Sequence, residues 1–213
     1  MRYLFPLSIL LLALLSFVWK SNTSSTEKGE FIDHRDGQVY TWRRMKDGQK
    51  WMDTNLNFKM DSSFCYQNED SICRRSGRLY TWEAALEACP DGWHLPSDQE
   101  WWDLFAIDGM AANWWGRQPR NDENGAGAAV FDSLVVGENA FIDLHGGLRR
   151  NKLVRSFGID FISLRNAYFW TATSGKPDQQ KAWYYSATAD YQLISRNFGW
   201  KVFAYSCRCV ADE

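Results

Sequence analysis

Trp114 and Trp115 stand side by side, with Asn113 before them and Asn121, Asp122 and Glu123 just after. An indole offers a flat apolar face on which the axial C–H groups of a pyranose ring can pack. Amides and carboxylates beside it offer hydrogen bonds to ring hydroxyls, and the carboxylate bonds are the stronger because they carry charge. Aromatic walls with a few polar groups are the usual make-up of a ligand pocket, and loops on a rigid scaffold are where such sites sit. The run 113–124 is therefore the expected ligand site, with a polysaccharide or a surface protein as the expected partner. The plainer alternative is a surface loop with one indole tucked inward.

Other chemistry is sparse. The chain has three histidines, His34, His94 and His145. No Ser-His-Asp arrangement, HExxH pair or phosphate loop surrounds them, so no catalytic residue and no cofactor is expected. Cys65 and Cys73 lie eight positions apart in a polar stretch, and a small disulfide is expected between them. A metal site there would need two further ligands nearby, and none is present, so no metal is expected. Cys207 and Cys209 alternate onto one face of an expected strand, so either could reach Cys89.

The elements that must hold these groups are legible around residues 77–105. Thr81 can cap a helix whose face is Trp82, Ala85, Leu86 and Cys89, at helical spacing. Pro90 ends it, and Asp91-Gly92 turns the chain. Pro96 keeps Leu95 extended. Ser97 and Glu100 have the spacing of a capping box for a second helix, whose apolar face is Trp101, Leu104 and Phe105. Trp82 and Trp93 read as core. Upstream, Val39-Tyr40-Thr41-Trp42 reads as a strand, Asp47-Gly48 as a tight turn, and Gln49-Lys50-Trp51-Met52 as the returning strand. Residues 59–76 read as a polar loop. Downstream, strands are expected at 140–144, 159–164, 167–173, 182–187, 191–195 and 201–210. Helices early and strands late indicate an α+β fold.

Residues 3–19 form an apolar run behind Arg2, short for a membrane span and suited to a secretory signal. No clean A-x-A site follows, so an uncleaved anchor is the alternative. No cysteine follows either, which argues against a lipid anchor. The expected organisation is 1–20 signal peptide or N-terminal anchor, 21–30 polar linker, and 31–213 one domain, outside the cell, on its surface or in the periplasm. Membrane contact is expected only through the N-terminal segment if it is retained. Five cysteines behind an export signal imply disulfides. A net charge of −2 gives no reason to expect nucleic acid as a partner. The bland reading of most of the twelve tryptophans is core.

Gly77-Arg78-Leu79-Tyr80-Thr81-Trp82, then Cys89-Pro90-Asp91-Gly92-Trp93-His94-Leu95-Pro96-Ser97 and Glu100-Trp101, resemble the Fibrobacter succinogenes major paralogous domain family. The likeness takes in Gly48-Gln49-Lys50-Trp51-Met52 and Asn55-Leu56 upstream. Downstream it takes in Phe141-Ile142-Asp143-Leu144-His145-Gly146-Gly147-Leu148-Arg149, Phe169-Trp170-Thr171-Ala172-Thr173 and Ser206-Cys207-Arg208-Cys209-Val210. It spans about residues 31–213. The resemblance implies a C-type-lectin-like fold, with two early helices packed on short, mostly antiparallel strands. It implies a secreted or surface-exposed protein, and no established activity.

The resemblance also implies a bridge from Cys89 to Cys209, helix to final strand. Such a loop of about 120 residues is worth on the order of 4–5 kcal/mol by chain entropy. Cys207 then falls where the family usually has a hydrophobic residue, and a buried free thiol is expected. Lys176-Pro177-Asp178 invites comparison with the calcium- and sugar-binding Glu-Pro-Asn or Gln-Pro-Asp motif of true C-type lectins. A lysine in the first place cannot ligate calcium, which needs oxygen donors. Formylglycine-generating oxidases have a related fold and use a reactive cysteine pair with copper; Cys207-x-Cys209 is the one feature that favours that analogy. The expected function is a non-enzymatic binding module for carbohydrate or another cell-surface ligand. A structural or protein-interaction module comes second, and a Cys oxidase third.

Overall fold

The structure is a computed structural model of the chain, described for residues 27–106, 142, 148–149, 161–162, 166–175, 180–188 and 193–212. In chain order the strands are β1 (Lys28–Ile32), β2 (Val39–Arg44), β3 (Lys50–Met52), β4 (Ser63–Phe64), β5 (Leu79–Tyr80), β6 (Trp93–His94), β7 (Leu148–Arg149), β8 (Phe161–Ile162), β9 (Asn166–Ser174), β10 (Lys181–Thr188), β11 (Leu193–Trp200), β12 (Tyr205–Ser206) and β13 (Val210–Ala211). The helices are α1 (Asp70–Ser76), α2 (Trp82–Ala88) and α3 (Asp98–Ala106). One sheet has the order β1-β2-β3-β13-β6, a second the order β11-β10-β9-β12-β5-β4, and β7 and β8 form a separate pair. Among the described residues every pairing is antiparallel except that of β12 with β9. The α+β class holds. No helix among the described residues is long and apolar enough to cross a membrane.

The β2–β3 hairpin forms where Asp47-Gly48 places it. Gly48 has φ +87°, a left-handed conformation natural to glycine. The Asp47 carboxylate accepts hydrogen bonds from the Gln49 amide and the Trp51 indole, each at 2.9 Å. The capping box is also formed: the Glu100 amide donates to Ser97 Oγ at 3.1 Å, and the Ser97 amide donates to Glu100 Oε2 at 2.7 Å. Behind it, Trp101, Leu104 and Phe105 are buried and pack with Trp51, Phe169, Tyr185 and Ile194. A second cluster gathers Met52, Leu56, Tyr80, Trp82, Ala85, Trp170 and Tyr205 around α2.

Several expectations are corrected. The described residues contain three helices rather than two, and the first, α1, lies inside 59–76, which reads as loop from its polarity. Asp70 sits in the first turn of α1, where the helix dipole favours it, and the Gly77 amide closes the last turn on the Cys73 carbonyl at 2.9 Å. The strands β9, β10 and β11, with 9, 8 and 8 residues, are longer than the short strands expected.

Thr81 holds the cap position of α2 with extended backbone, but its side chain makes no cap bond. Leu86 is 42% exposed; the buried stripe of α2 is Trp82, Ala85 and Ala88, with Ala84 beside it. The small alanines let the two-turn helix lie close to its sheet, which turns Leu86 outward. Trp93 is only partly buried; its ring stacks on Phe31 at 4.5 Å.

Residues 201–210 do not form one strand. β12 belongs to one sheet and β13 to the other, and Cys207, Arg208 and Cys209 cross between them. The alternation of faces therefore fails: these three residues are all buried, at 0%, 1% and 0% exposure. The crossing is pinned by amides of the third strand's end and beyond, Met52 donating to the Cys209 carbonyl and Leu56 to the Cys207 carbonyl, each at 2.9 Å.

Candidate functional site

The residues expected to bind ligand, Asn113, Trp114, Trp115, Asn121, Asp122 and Glu123, lie outside the described residues, as do His145 and Lys176-Pro177-Asp178. What is described is the frame that brackets them. In sequence, α3 precedes the run and β7, β8 and β9 come after it; α3 and β9 are set in the core by Trp101, Phe105 and Phe169.

The cysteines are paired as expected. Cys65 is bonded to Cys73, and Cys89 to Cys209 across 120 positions of sequence. Cys207 is free and buried, and burial pushes its thiol well above the ordinary range. With Cys209 committed to Cys89, the Cys207-x-Cys209 segment does not present the dithiol that the oxidase analogy requires. Arg78 rests on the smaller bridge, with Nη1 at 3.4 Å from Cys65 Sγ and 3.6 Å from Cys73 Sγ. Arg35 serves the larger one: its guanidinium donates to the Ala88 and Cys89 carbonyls at 2.8 and 3.3 Å, and pairs with Asp33 at 2.7 Å.

His94 is hydrogen-bonded to two carboxylates. Nδ1 lies 2.6 Å from Asp212 Oδ1, and Nε2 lies 2.8 Å from Glu100 Oε1. Burial pushes the imidazole pKa down, but the bonds to Glu100 and Asp212 outweigh it and hold it above its ordinary value. Burial pushes Glu100 up; hydrogen bonds from the Ser97 amide and from His94 outweigh that and hold it below the usual carboxylate range. The Ser97 hydroxyl beside it is engaged by the Glu100 amide. The group is thus a brace joining β6, the cap of α3 and the residue after β13. No cluster of three or more His, Cys, Asp or Glu suited to a metal exists among the described residues.

A second gathering lies where β10 meets β11. Trp183 stands opposite Phe198, with ring centroids 3.4 Å apart, and Phe198 is 45% exposed. The Arg196 guanidinium lies 3.4 Å from the centre of the Trp183 ring. Arg196 in turn forms a two-point pair with Asp98, through Nε to Oδ1 at 2.7 Å and through Nη2 to Oδ2. Sequence reasoning missed this group. Aromatic residues within a strand read as core, and nothing in the spacing links Asp98 to a residue 98 positions later.

This is the architecture of a disulfide-locked α+β domain whose longer bridge joins the end of α2 to the crossing before β13. The family model described as Fibrobacter succinogenes major domain matches residues 19–211, and the chain belongs to that family. Nothing among curated proteins or solved structures matches it.

Proposed function

We propose that this chain is a non-enzymatic binding module with a C-type-lectin-like fold, secreted or held at the cell surface, that takes carbohydrate or another cell-surface ligand. The observation that carries the reading is the aromatic-packed frame of α3 and β9, which stand in sequence before and after the segment holding Asn113, Trp114, Trp115, Asn121, Asp122 and Glu123. A rigid scaffold with a ligand-competent connecting run is how loop sites are usually built. The two disulfides suit an oxidising compartment. Weak affinity for a single sugar would make several copies or a dense surface necessary for adhesion.

A protein-interaction module is the second reading. It is favoured by Ile32 and Val39, paired across β1 and β2 and 54% and 58% exposed. Probing a polysaccharide array with the full chain, then with Trp114→Ala and Trp115→Ala separately, tests the first reading. Binding that is lost in either variant at unchanged melting temperature supports it. An array without any bound polysaccharide favours the second reading, and loss of folding in both variants would put the two indoles in the core.

A further inference from the structure

We propose that the outer edge of β1 pairs with β1 of a second copy of this chain, antiparallel and two-fold symmetric about Gly29, so that the first sheet runs on through a dimer. β1 ends its sheet: β2 lies on one side, and among the described residues no strand lies on the other. The aim of its backbone groups follows from its two ends. The Glu27 carbonyl accepts from the Arg44 amide at 2.8 Å, and the Asp33 amide donates to the Gln38 carbonyl at 2.8 Å. Odd-numbered residues therefore turn their N–H and C=O toward β2, and Lys28, Glu30 and Ile32 turn theirs outward. The side chains of the same three residues are exposed. Neither a proline nor a slip in the register with β2 blunts this edge.

Charge selects the occupant and its register. In an antiparallel pair, hydrogen bonds are exchanged between residues whose backbone groups both point into the gap. A register centred on Gly29 sets Lys28 of one copy opposite Glu30 of the other, and the symmetry repeats the pair on the far side of the axis. Centred on Glu30 instead, the same strands would set Glu30 against Glu30 and Lys28 against Ile32. The strand is thus complementary to itself in the Gly29 register. Within its own copy neither charge meets its opposite across β2: Lys28 faces Arg43, which is paired with Asp53, and Glu30 faces Thr41. The other edges of the two larger sheets lack this property. β4 and β6 have two residues each, and the one charged residue of β11, Arg196, is paired with Asp98.

The pairing also fixes how the copies face. Lys28 lies opposite Arg43, and Arg43 opposite Trp51, so the three share one face of the sheet. Trp51 on that face packs with Trp101, Leu104 and Phe105 of α3. A two-fold axis perpendicular to the sheet preserves its faces, so both copies carry α3 on the same side. A strand edge is a small interface, and the dimer is accordingly weak and concentration-dependent. It gains where copies are dense on a surface, and it doubles whatever one copy binds without depending on what that is.

Sedimentation velocity of the full chain, from micromolar to millimolar concentration, tests the pairing. A reversible monomer–dimer equilibrium is expected. Lys28→Glu and Glu30→Lys each set like charges opposite one another on both sides of the axis, and each should weaken dimerisation about tenfold or more. Both should melt like the parent, because the two side chains are exposed. Mixed in equal amounts, the two variants should dimerise again, and a chain carrying both substitutions should dimerise on its own. A parent that stays monomeric throughout overturns the pairing. So does a dimer that neither variant weakens, since association through the apolar run 3–19 or another surface is indifferent to these charges. Variants that dissociate and are not restored by mixing also overturn it. Each of these failures leaves the ligand reading of the 113–124 run standing.

Discussion

Asn55 is the acceptor for a buried guanidinium: Arg208 Nε and Nη2 both donate to its Oδ1, at 3.2 and 2.6 Å. Its own Nδ2 donates to the Ser76 carbonyl at 2.9 Å. Arg208 Nη1 donates to the Asp53 carbonyl at 3.2 Å. The next residue after Ser76, Gly77, has φ +77°, and a Cβ there would stand 2.6 Å from Asn55 Cβ. Three stretches that carry the family likeness, around residues 55, 77 and 208, thus converge on one amide.

Asn55→Ala should therefore cost more than a surface polar truncation, because it leaves a buried cation with fewer acceptors. A hydrogen bond to a charged group contributes about 1.5–3 kcal/mol, so a loss of roughly 3 kcal/mol is expected in urea unfolding. A loss below about 1 kcal/mol would mean that the guanidinium finds other acceptors as good.

The two disulfides should differ in worth. In the chain-entropy picture the Cys89–Cys209 bridge, at a separation of 120, contributes on the order of 4–5 kcal/mol, against about 2–3 kcal/mol for Cys65–Cys73 at a separation of 8. Cys89→Ser should lower the melting temperature well beyond Cys65→Ser. In the native parent, Cys207 should resist thiol reagents until the domain unfolds, and non-reducing peptide mapping should recover no Cys89–Cys207 peptide.

The brace at His94 predicts a pH dependence. An unfolded imidazole titrates near 6.5, whereas the folded one is held higher by Glu100 and Asp212. Only the protonated ring can donate to both carboxylates at once. Its stabilisation is fully present below about pH 6.5 and fades as pH rises through the folded value. Glu100, held low, acts in the opposite sense: its contribution is present above the ordinary carboxylate range and fades in acid. Melting temperature should fall between mildly acid and alkaline buffer in the parent and change less in His94→Gln. His94 and Asp212 are 42% and 56% exposed, so added salt should shrink the difference.

Core substitutions should sort by burial. Trp101→Ala, at a fully buried indole, should cost about 3–5 kcal/mol. Trp93→Ala should cost clearly less, since that ring is only partly buried against Phe31. Ser97→Ala should cost about 1 kcal/mol through the lost cap. Chemical denaturation of the three variants checks the ranking.

The legible parts of the fold were those specified by near neighbours. Asp47-Gly48 fixes its hairpin, and Ser97 with Glu100 fixes the start of α3, because each device closes within a few residues. What was misread depends on partners far away in sequence. Leu86 has the spacing of a buried face, but the sheet that α2 meets accepts the alanine stripe instead. Residues 207–209 look like strand, yet β12 and β13 are claimed by different sheets, so the segment between them crosses the core. The group at Trp183 was unreadable for the same reason: its supporting pair, Asp98 and Arg196, comes from a helix start and a late strand.

The crossing at 207–209 also sets an order of events for the chain as it is made. β13 lies between β3 and β6, and β12 between β9 and β5. Neither sheet can close until these last two strands of the sequence order have been synthesised, and neither can the bridge from Cys89. Such long-range closure slows folding and keeps the polypeptide open until late. Cys207 and Cys209 reach Cys89 together, which leaves the choice of partner to the packing of the finished core.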